Sequence, residues 1–240
     1  MSEESEKQAM VDRFEFFAAI LLGLAAICTA LSSFQAGLWD GKQAEAYGKA
    51  NTEATAAAAE RAKATVEMSK DAQIDITAYQ LIEQGLNNAN SNPSVSNSSF
   101  EIASYLYTRQ MSDAGYKALG LPPEAKKDPG DDEEKSEALK GDVLDKASNK
   151  DLVGDENYLK EMLAKSDELN TQSQKTFKEG NEANDAGDKF ELANVMFAVS
   201  MFFMGIALVF RTDIKWKVLI AGGVMLVVPF VYMLTLPWTF

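Results

Sequence analysis

Histidine is absent from this chain of 240 residues, and cysteine occurs once, at Cys28. The absence of histidine excludes imidazole metal sites and histidine-dependent catalytic triads, and a lone cysteine excludes a disulfide bond within the chain. The sequence also has no glycine-rich phosphate-binding loop of the GxxxxGK(S/T) type. These absences predict a protein that is not an enzyme, with no catalytic residues, no metal site and no cofactor.

Formal charge is missing from three stretches of the chain. Between residues 14 and 38 the only charged residue is Glu15, and none lies in 192–210 or 218–240. The region between them is polar: residues 39–191 carry 18 basic and 30 acidic side chains, a net charge of 18 − 30 = −12 within a total of −13. A chain this acidic is a poor ligand for nucleic-acid phosphates, so we expect no nucleic-acid partner.

The uncharged stretches have the length of membrane spans. An α-helix rises about 1.5 Å per residue, so about 20 apolar residues cross a hydrocarbon core about 30 Å thick. We therefore predict transmembrane helices at residues 14–39, 191–211 and 218–240, in contact with a lipid bilayer, in preference to core helices of a soluble protein. Three tryptophans flank the spans, as expected for indole rings at a membrane interface: Trp39, Trp216 and Trp238.

Basic residues predict the orientation of the spans. Arg211, Lys215 and Lys217 lie in or beside the short link at residues 212–217, and short basic loops remain on the cytoplasmic side. Three crossings then place an N-terminal tail, residues 1–13, in the cytoplasm and residues 40–190 outside it. Lysines near the outer ends of the spans oppose this orientation, although long translocated regions largely escape the rule. The acidic start of the chain argues against a cleaved signal peptide.

The polar region has the composition of long helices. Proline is absent from residues 1–92 and from 130–228, and good helix formers predominate at both ends of the region. We predict an ascending stalk helix at residues 40–86 and a descending one at 155–190, although a bundle of broken helices is a competing interpretation. The predicted fold is an all-α membrane protein: three transmembrane helices, a long antiparallel helical hairpin or stalk that projects from the bilayer, and a small helical tip.

A spacing of four and three residues selects small side chains along these helices. Small residues let helix backbones approach closely, both in membranes and in Ala-rich coils. Because eight alanines lie between residues 50 and 64, more than one register fits this part of the chain. The predicted helix-packing seam consists of Ala19, Gly23, Ala26, Ala30, Ser33, Gly37, Ala54, Ala58, Gly180, Ala183, Gly187 and Asn194.

Residues 87–154 are predicted to form the tip. The Asn- and Ser-rich residues 87–99 have no side chains with which to build a core and are interpreted as a loop. Ser98 and Glu101 have the spacing of a capping box that starts a helix, and Gly120 before two prolines ends it. A further short helix is expected at residues 132–146.

Uncharged polar residues are concentrated in one layer of the predicted spans. Thr29, Ser32, Ser33 and Gln35 lie in the outer half of the first span, and Asn194 lies near the same level in the second. Polar groups in hydrocarbon need partners on other helices, so this layer predicts hydrogen bonds between spans, each worth about 0.6–2 kcal/mol.

The order of these segments resembles a group of uncharacterised prokaryotic membrane proteins classed as a domain of unknown function. The resemblance rests on an N-terminal span that ends in LWDGKQAEAY (residues 38–47), an acidic helical region and a C-terminal pair of spans. It implies a multi-pass protein of a bacterial or archaeal plasma (inner) membrane that functions through assembly.

We expect a structural or interaction protein that forms a homo-oligomer or acts as a scaffold for another membrane protein. A ligand-sensing or transport-accessory subunit is the alternative, because spans separated by extracytoplasmic helices are also a receptor layout. Such a subunit would pass its output to another membrane protein, since the cytoplasmic link is short. An oligomeric pore is a third, weaker interpretation, because no ionisable residue lies deep in the spans.

Overall fold

The computed structural model describes residues 3–126, 133–210 and 214–239, and the regular elements in these ranges are all helical. Two shorter helical turns accompany the α-helices: a π-helical turn at Leu106–Gln110 and a 3₁₀ turn at Pro123–Lys126. The α-helices are α1 (Glu3–Asn88), α2 (Pro93–Tyr105), α3 (Asp113–Ala118), α4 (Glu133–Ser148), α5 (Glu156–Val209) and α6 (Ile214–Thr235).

Two of these helices are much longer than those of most globular proteins. Helix α1 has 86 residues and α5 has 54, against a usual mean of about 11–12. Neither contains proline, so no residue removes a backbone hydrogen bond from the helix interior. Each helix joins an apolar segment to a polar one without a break: the apolar segment comes first in α1 and last in α5.

Helices α1, α5 and α6 are each long and apolar enough to cross a membrane. Many of their large apolar side chains are exposed, including Phe16 at 63% and Phe202 at 63%. The prediction of an all-α chain with three helices of this kind is confirmed for the residues that the structure describes.

Helix α6 ends earlier than the predicted third span. It stops at Thr235, and residues 236–239 are not helical. Pro237 explains the end, because the proline ring disfavours helical backbone at Leu236 and removes an N–H donor. Pro229, by contrast, lies inside α6 and is buried.

The tip differs from the prediction at the start of its first helix. Helix α2 begins at Pro93, within the stretch expected to be a loop, and the side chain of Asn92 accepts a hydrogen bond from the Val95 amide at 3.4 Å. Asparagine at the N-cap followed by proline in the first turn is a strong start signal. The capping box predicted at Ser98 is therefore wrong, because that residue lies inside α2.

The helix that follows is also interrupted. Helix α2 passes into the π-helical turn, Met111 is extended, and Ser112 then caps α3 by accepting a hydrogen bond from the Gly115 amide at 3.0 Å. The predicted stop is confirmed: α3 ends at Ala118, and Gly120 takes a φ of +68°, which glycine adopts without strain. The predicted short helix at 132–146 corresponds to α4.

The chain forms two compact units, each with its own core. The apolar unit comprises Met1–Asn51 and Ser173–Phe240, and the polar unit comprises Thr52–Gln172. Phe190, Phe197 and Met204 lie at the centre of the first core. Tyr107, Leu119 and Leu152 lie at the centre of the second.

Candidate functional site: the faces of helix α1 and the polar layer

In the apolar unit, one face of α1 packs against other helices of the same chain. Ala18, Ala25 and Ser32, each seven residues after the last, are fully buried. The Ser32 hydroxyl donates to the Phe190 carbonyl oxygen at 2.6 Å, and the Ser173 hydroxyl donates to the Ala50 carbonyl oxygen at 2.8 Å. Later residues of α1 therefore contact earlier residues of α5.

The α5 part of the predicted seam lies in this packing. A Cβ atom added to Gly180 would lie 2.5 Å from Tyr47 Cδ1, and one added to Gly187 would lie 3.1 Å from Asp40 Oδ1. Ala183 between them is buried. Small residues at these three positions therefore permit the close approach of α5 to α1.

The α1 part of the predicted seam lies on a different face. Its residues in the apolar unit are all exposed, and a Cβ atom added to Gly23 or Gly37 would have no neighbour within 4 Å. This exposed small-residue face consists of Ala19, Gly23, Ala26, Ala30, Ser33 and Gly37. Within the chain, no helix in the described residues packs on the two glycines.

Bulky apolar side chains occupy a separate sector of the same helix. An α-helix turns about 100° per residue, so side chains at different offsets from the small residues point in different directions. The exposed bulky residues are Phe16, Phe17, Ile20, Leu24, Ile27, Leu31 and Phe34. The outer surface of α1 is therefore divided into a bulky apolar sector and a small-residue sector.

In the polar unit the buried residues of α1 precede the predicted seam by one position. Ala54 and Ala58 are exposed. The buried residues, again seven apart, are Ala57, Ala64, Asp71 and Ala78. Within this unit the predicted register therefore differs by one residue from the packed one.

Hydrogen bonding between helices in the polar layer is confirmed by the bonds of Ser32 and Ser33 with α5, and Gln35 bonds the segment after α6. Gln35 is 2% exposed, and its side-chain amide exchanges two 2.9 Å hydrogen bonds with the backbone of Thr239. The Asn194 amide nitrogen donates to the Ser33 hydroxyl at 2.9 Å, while its carbonyl oxygen Oδ1 is buried without a hydrogen-bond partner in the described residues. Thr29 instead donates to Ala25 of its own helix.

The residues predicted for the membrane interface make aromatic and cation–π contacts. Trp216 packs edge to face on Phe14, with ring centroids 5.0 Å apart, and the Lys215 ammonium lies 4.6 Å from the Phe14 ring. The Lys42 ammonium lies 4.7 Å from the Trp39 ring. Trp238 packs edge to face on a phenylalanine of α5, and Lys217 is exposed. Arg211 lies outside the described residues.

The polar unit contains a buried carboxylate that sequence reasoning did not identify. Asp71 is fully buried, and it accepts hydrogen bonds from the Ser112 amide at 2.9 Å, from the Ser112 hydroxyl and from the Tyr158 hydroxyl at 2.9 Å. Burial and the adjacent Asp71 carboxylate raise the pKa of Tyr158. Because its donors come from the cap of α3 and from α5, Asp71 connects three helices.

A second carboxylate lies one helical turn away. Asp75 accepts a 2.9 Å hydrogen bond from the Tyr107 hydroxyl, which the π-helical turn directs towards it. Burial raises the pKa of Asp75; the Tyr107 hydrogen bond opposes this shift, and the charge of Asp151 adds to it. Burial also raises the pKa of Tyr107. Both carboxylates are held by hydroxyl donors, an arrangement that suits a structural role.

An open cleft of about 430 Å³ lies between α2 and α4 in the polar unit. The ammonium of Lys140 lies 2.9 Å from Glu137 and 3.7 Å from Glu101, and the Glu137 hydrogen bond is the main cause that raises the pKa of Lys140. Phe100 and Leu144 supply apolar surface. The cleft therefore combines two carboxylates, one ammonium group and an apolar wall.

No cluster of three or more metal-ligating side chains occurs among the described residues. The chain matches no protein-family model, no curated protein and no solved structure. Its function is therefore inferred from the geometry of this chain alone.

Proposed function

We propose that this protein is a non-enzymatic integral membrane protein that works by assembling with further copies of itself. Helices α1, α5 and α6 are its three membrane spans, and the polar parts of α1 and α5 form a helical hairpin outside the bilayer. The observation that carries the proposal is the exposed small-residue face of α1, from Ala19 to Gly37, beside a sector of bulky side chains.

The separation of the two sectors supports self-association. A helix face that meets only lipid has no need of small residues, and the bulky sector already supplies an apolar surface. Small residues favour association between membrane helices because they let the backbones approach closely. Copies inserted with the same orientation bring this face of α1 against the same face of a second α1.

Ser33 gives the face a polar group at the level of the polar layer. It accepts a hydrogen bond from Asn194, whose Oδ1 atom lacks a partner among the described residues. Ser33 itself is exposed on this face, so its hydroxyl can donate to a second copy while it accepts from Asn194.

The test is the oligomeric state of the full-length chain in lipid nanodiscs, for wild type and for Gly23→Leu. A Cβ atom added at this position has no neighbour within 4 Å in the chain, so the monomer should fold normally. We expect wild type to form oligomers and Gly23→Leu to weaken association at least tenfold, a change of about 1.4 kcal/mol.

A matched control is available in the second span. Gly205 on α5 also has no atom within 4 Å of an added Cβ, and it lies outside the small-residue face. Gly205→Leu should leave the oligomer intact. A wild-type monomer at every protein-to-lipid ratio would contradict the proposal, as would equal effects of the two substitutions.

The orientation that we propose places the link between α5 and α6 in the cytoplasm and the polar unit outside, in the plasma membrane of a prokaryote. Support comes from Lys215 and Lys217 near the start of α6, since short basic links remain on the cytoplasmic side. Labelling of single cysteines in intact cells tests it, with Lys217→Cys or Lys63→Cys introduced into a chain that carries Cys28→Ala: only the second should react with an impermeant maleimide.

The cleft between α2 and α4 favours one second candidate, a ligand-sensing subunit. Glu101, Glu137 and Lys140 give the cleft a formal charge of −2 + 1 = −1, which favours small organic cations with an apolar part. A bound ligand at 100 times its dissociation constant would stabilise the fold by about 2.7 kcal/mol. A screen of such amines by thermal shift, with Glu137→Gln as the control, tests this candidate.

A further inference from the structure

We propose that Leu236–Thr239, the segment after α6, is a strap that fixes α6 to α1. Gln35 is the main residue of α1 that binds it. The side-chain amide of Gln35 donates to the Thr239 carbonyl oxygen and accepts from the Thr239 amide, both at 2.9 Å. One side chain therefore pairs with both backbone groups of one residue, as a neighbouring β-strand would. Gln35 and Thr239 are 2% and 6% exposed.

Further contacts hold the rest of the strap. The Trp39 indole nitrogen donates to the Pro237 carbonyl oxygen at 2.9 Å. The Trp238 ring packs edge to face on Phe190, with centroids 5.8 Å apart, and Leu236 is 8% exposed. The strap is thus fixed to α1 by hydrogen bonds and to α5 by an aromatic contact.

The strap also donates hydrogen bonds to the last turn of α6. The Trp238 indole nitrogen and the Leu236 amide both donate to the Met233 carbonyl oxygen, at 3.2 Å each. Non-helical backbone among apolar helices is tolerated only where protein groups satisfy its hydrogen bonds. Gln35 and Trp39 supply that satisfaction here, which explains why α6 can end before the predicted span does.

Release of the strap from α1 leaves Gln35 in need of new hydrogen-bond partners. Without Thr239, the buried amide of Gln35 would keep both a donor and an acceptor unpaired, and each unpaired group destabilises the open state. The strap therefore opens only when water or another extended backbone provides both partners. The closed strap is therefore the state in which the two amide groups of Gln35 and the two backbone groups of Thr239 are all paired.

The experiment measures how fast a water-soluble maleimide reacts with Thr239→Cys in the full-length chain with Cys28→Ala, in detergent micelles. The contacts of Thr239 with Gln35 use its backbone, so this substitution retains them. We expect slow labelling with Gln35 present. Gln35→Leu should raise the rate about thirtyfold, as expected for the loss of two hydrogen bonds, and Trp39→Phe about fivefold.

Ser173→Cys is the control for general unfolding. Ser173 lies on α5 and is buried against α1, where its hydroxyl donates to the Ala50 carbonyl oxygen at 2.8 Å. Its labelling should remain slow when Gln35→Leu is introduced. Fast labelling of Thr239→Cys with Gln35 present would overturn the proposal, and so would an unchanged rate with Gln35→Leu. Equal acceleration at both cysteines would also overturn it, because Gln35 would then stabilise the whole helix pair and not a strap.

Discussion

The hydroxyl of Tyr158 should contribute measurably to the stability of the polar unit. Tyr158 is 4% exposed, and its hydroxyl donates to Asp71 Oδ2 at 2.9 Å. Tyr158→Phe removes this donor and leaves the ring in place. Asp71 then keeps its hydrogen bonds from Ser112 but loses one of its donors in a fully buried position.

The magnitude follows from the charge of the acceptor. Hydrogen bonds to charged groups contribute about 1.5–3 kcal/mol, against about 1 kcal/mol for neutral pairs. We therefore expect Tyr158→Phe to lower the free energy of unfolding of the polar unit by about 2 kcal/mol. A tyrosine without a buried acceptor provides the comparison. Tyr105 is 54% exposed and its hydroxyl accepts only a 3.4 Å bond, so Tyr105→Phe should change stability by less than about 0.5 kcal/mol.

The assay must report on the polar unit alone. The three tryptophans, Trp39, Trp216 and Trp238, all lie in the apolar unit, so their fluorescence does not follow this transition. Hydrogen–deuterium exchange of peptides from residues 74–82 measures it directly. A loss of about 2 kcal/mol corresponds to exchange about 30 times faster for the most protected amides. An acceleration below about threefold for Tyr158→Phe, or an equal effect of Tyr105→Phe, would show that this hydrogen bond does not stabilise the unit as expected.

Two further predictions concern single residues. Burial raises the pKa of Asp75 above its ordinary value. Between the two pKa values the folded polar unit therefore keeps a proton that the unfolded chain releases. The stability of the unit falls as pH rises from the ordinary pKa through the raised one. Asp75→Asn keeps an acceptor for Tyr107, and it should remove this pH dependence and raise stability at neutral pH, as measured by exchange across the acidic to neutral range; an unchanged pH profile would contradict the prediction. In the apolar unit, a Cβ atom added to Gly222 would lie 2.7 Å from Met204 Cγ and 3.1 Å from its backbone nitrogen, so Gly222→Ala should destabilise by about 1–3 kcal/mol. Gly205→Ala, where an added Cβ has no neighbour within 4 Å, should leave stability unchanged. Melting curves monitored by tryptophan fluorescence in detergent compare the two variants. Equal melting temperatures would show that α6 accommodates the added Cβ at Gly222 without loss of stability.

The apolar helices are predictable from the sequence because an uncharged run of about 20 residues has the length and composition of a membrane span. The absence of proline and of strong turn signals permits a continuous α1, but it is equally compatible with a bundle of broken helices. The end of α6 is less evident, since residues 236–239 are uncharged, as are residues 218–235 of the helix before them. Pro237 carries a signal for the end of the helix, but the partners of the strap, Gln35 and Trp39, lie 204 and 198 positions earlier in the chain.

The register of α1 is harder to predict. Alanines at neighbouring positions, such as Ala57 and Ala58, have identical side chains, and only the larger buried residues, such as Ile74 and Ile82, distinguish one face from the next. The contact between Asp71 and Tyr158 joins residues 87 positions apart. No local pattern marks it, because a single aspartate in an acidic helix resembles its exposed neighbours until the fold buries it.

Membrane insertion of α1, α5 and α6 underlies the proposed function, and extraction of cell membranes that contain the full-length chain with alkaline carbonate tests it. This treatment releases peripheral proteins and leaves proteins with membrane-spanning helices in the lipid fraction. We expect the chain to stay with the membrane pellet and to enter solution only when detergent is added. Recovery of the chain in the detergent-free supernatant as a stable folded protein would contradict insertion.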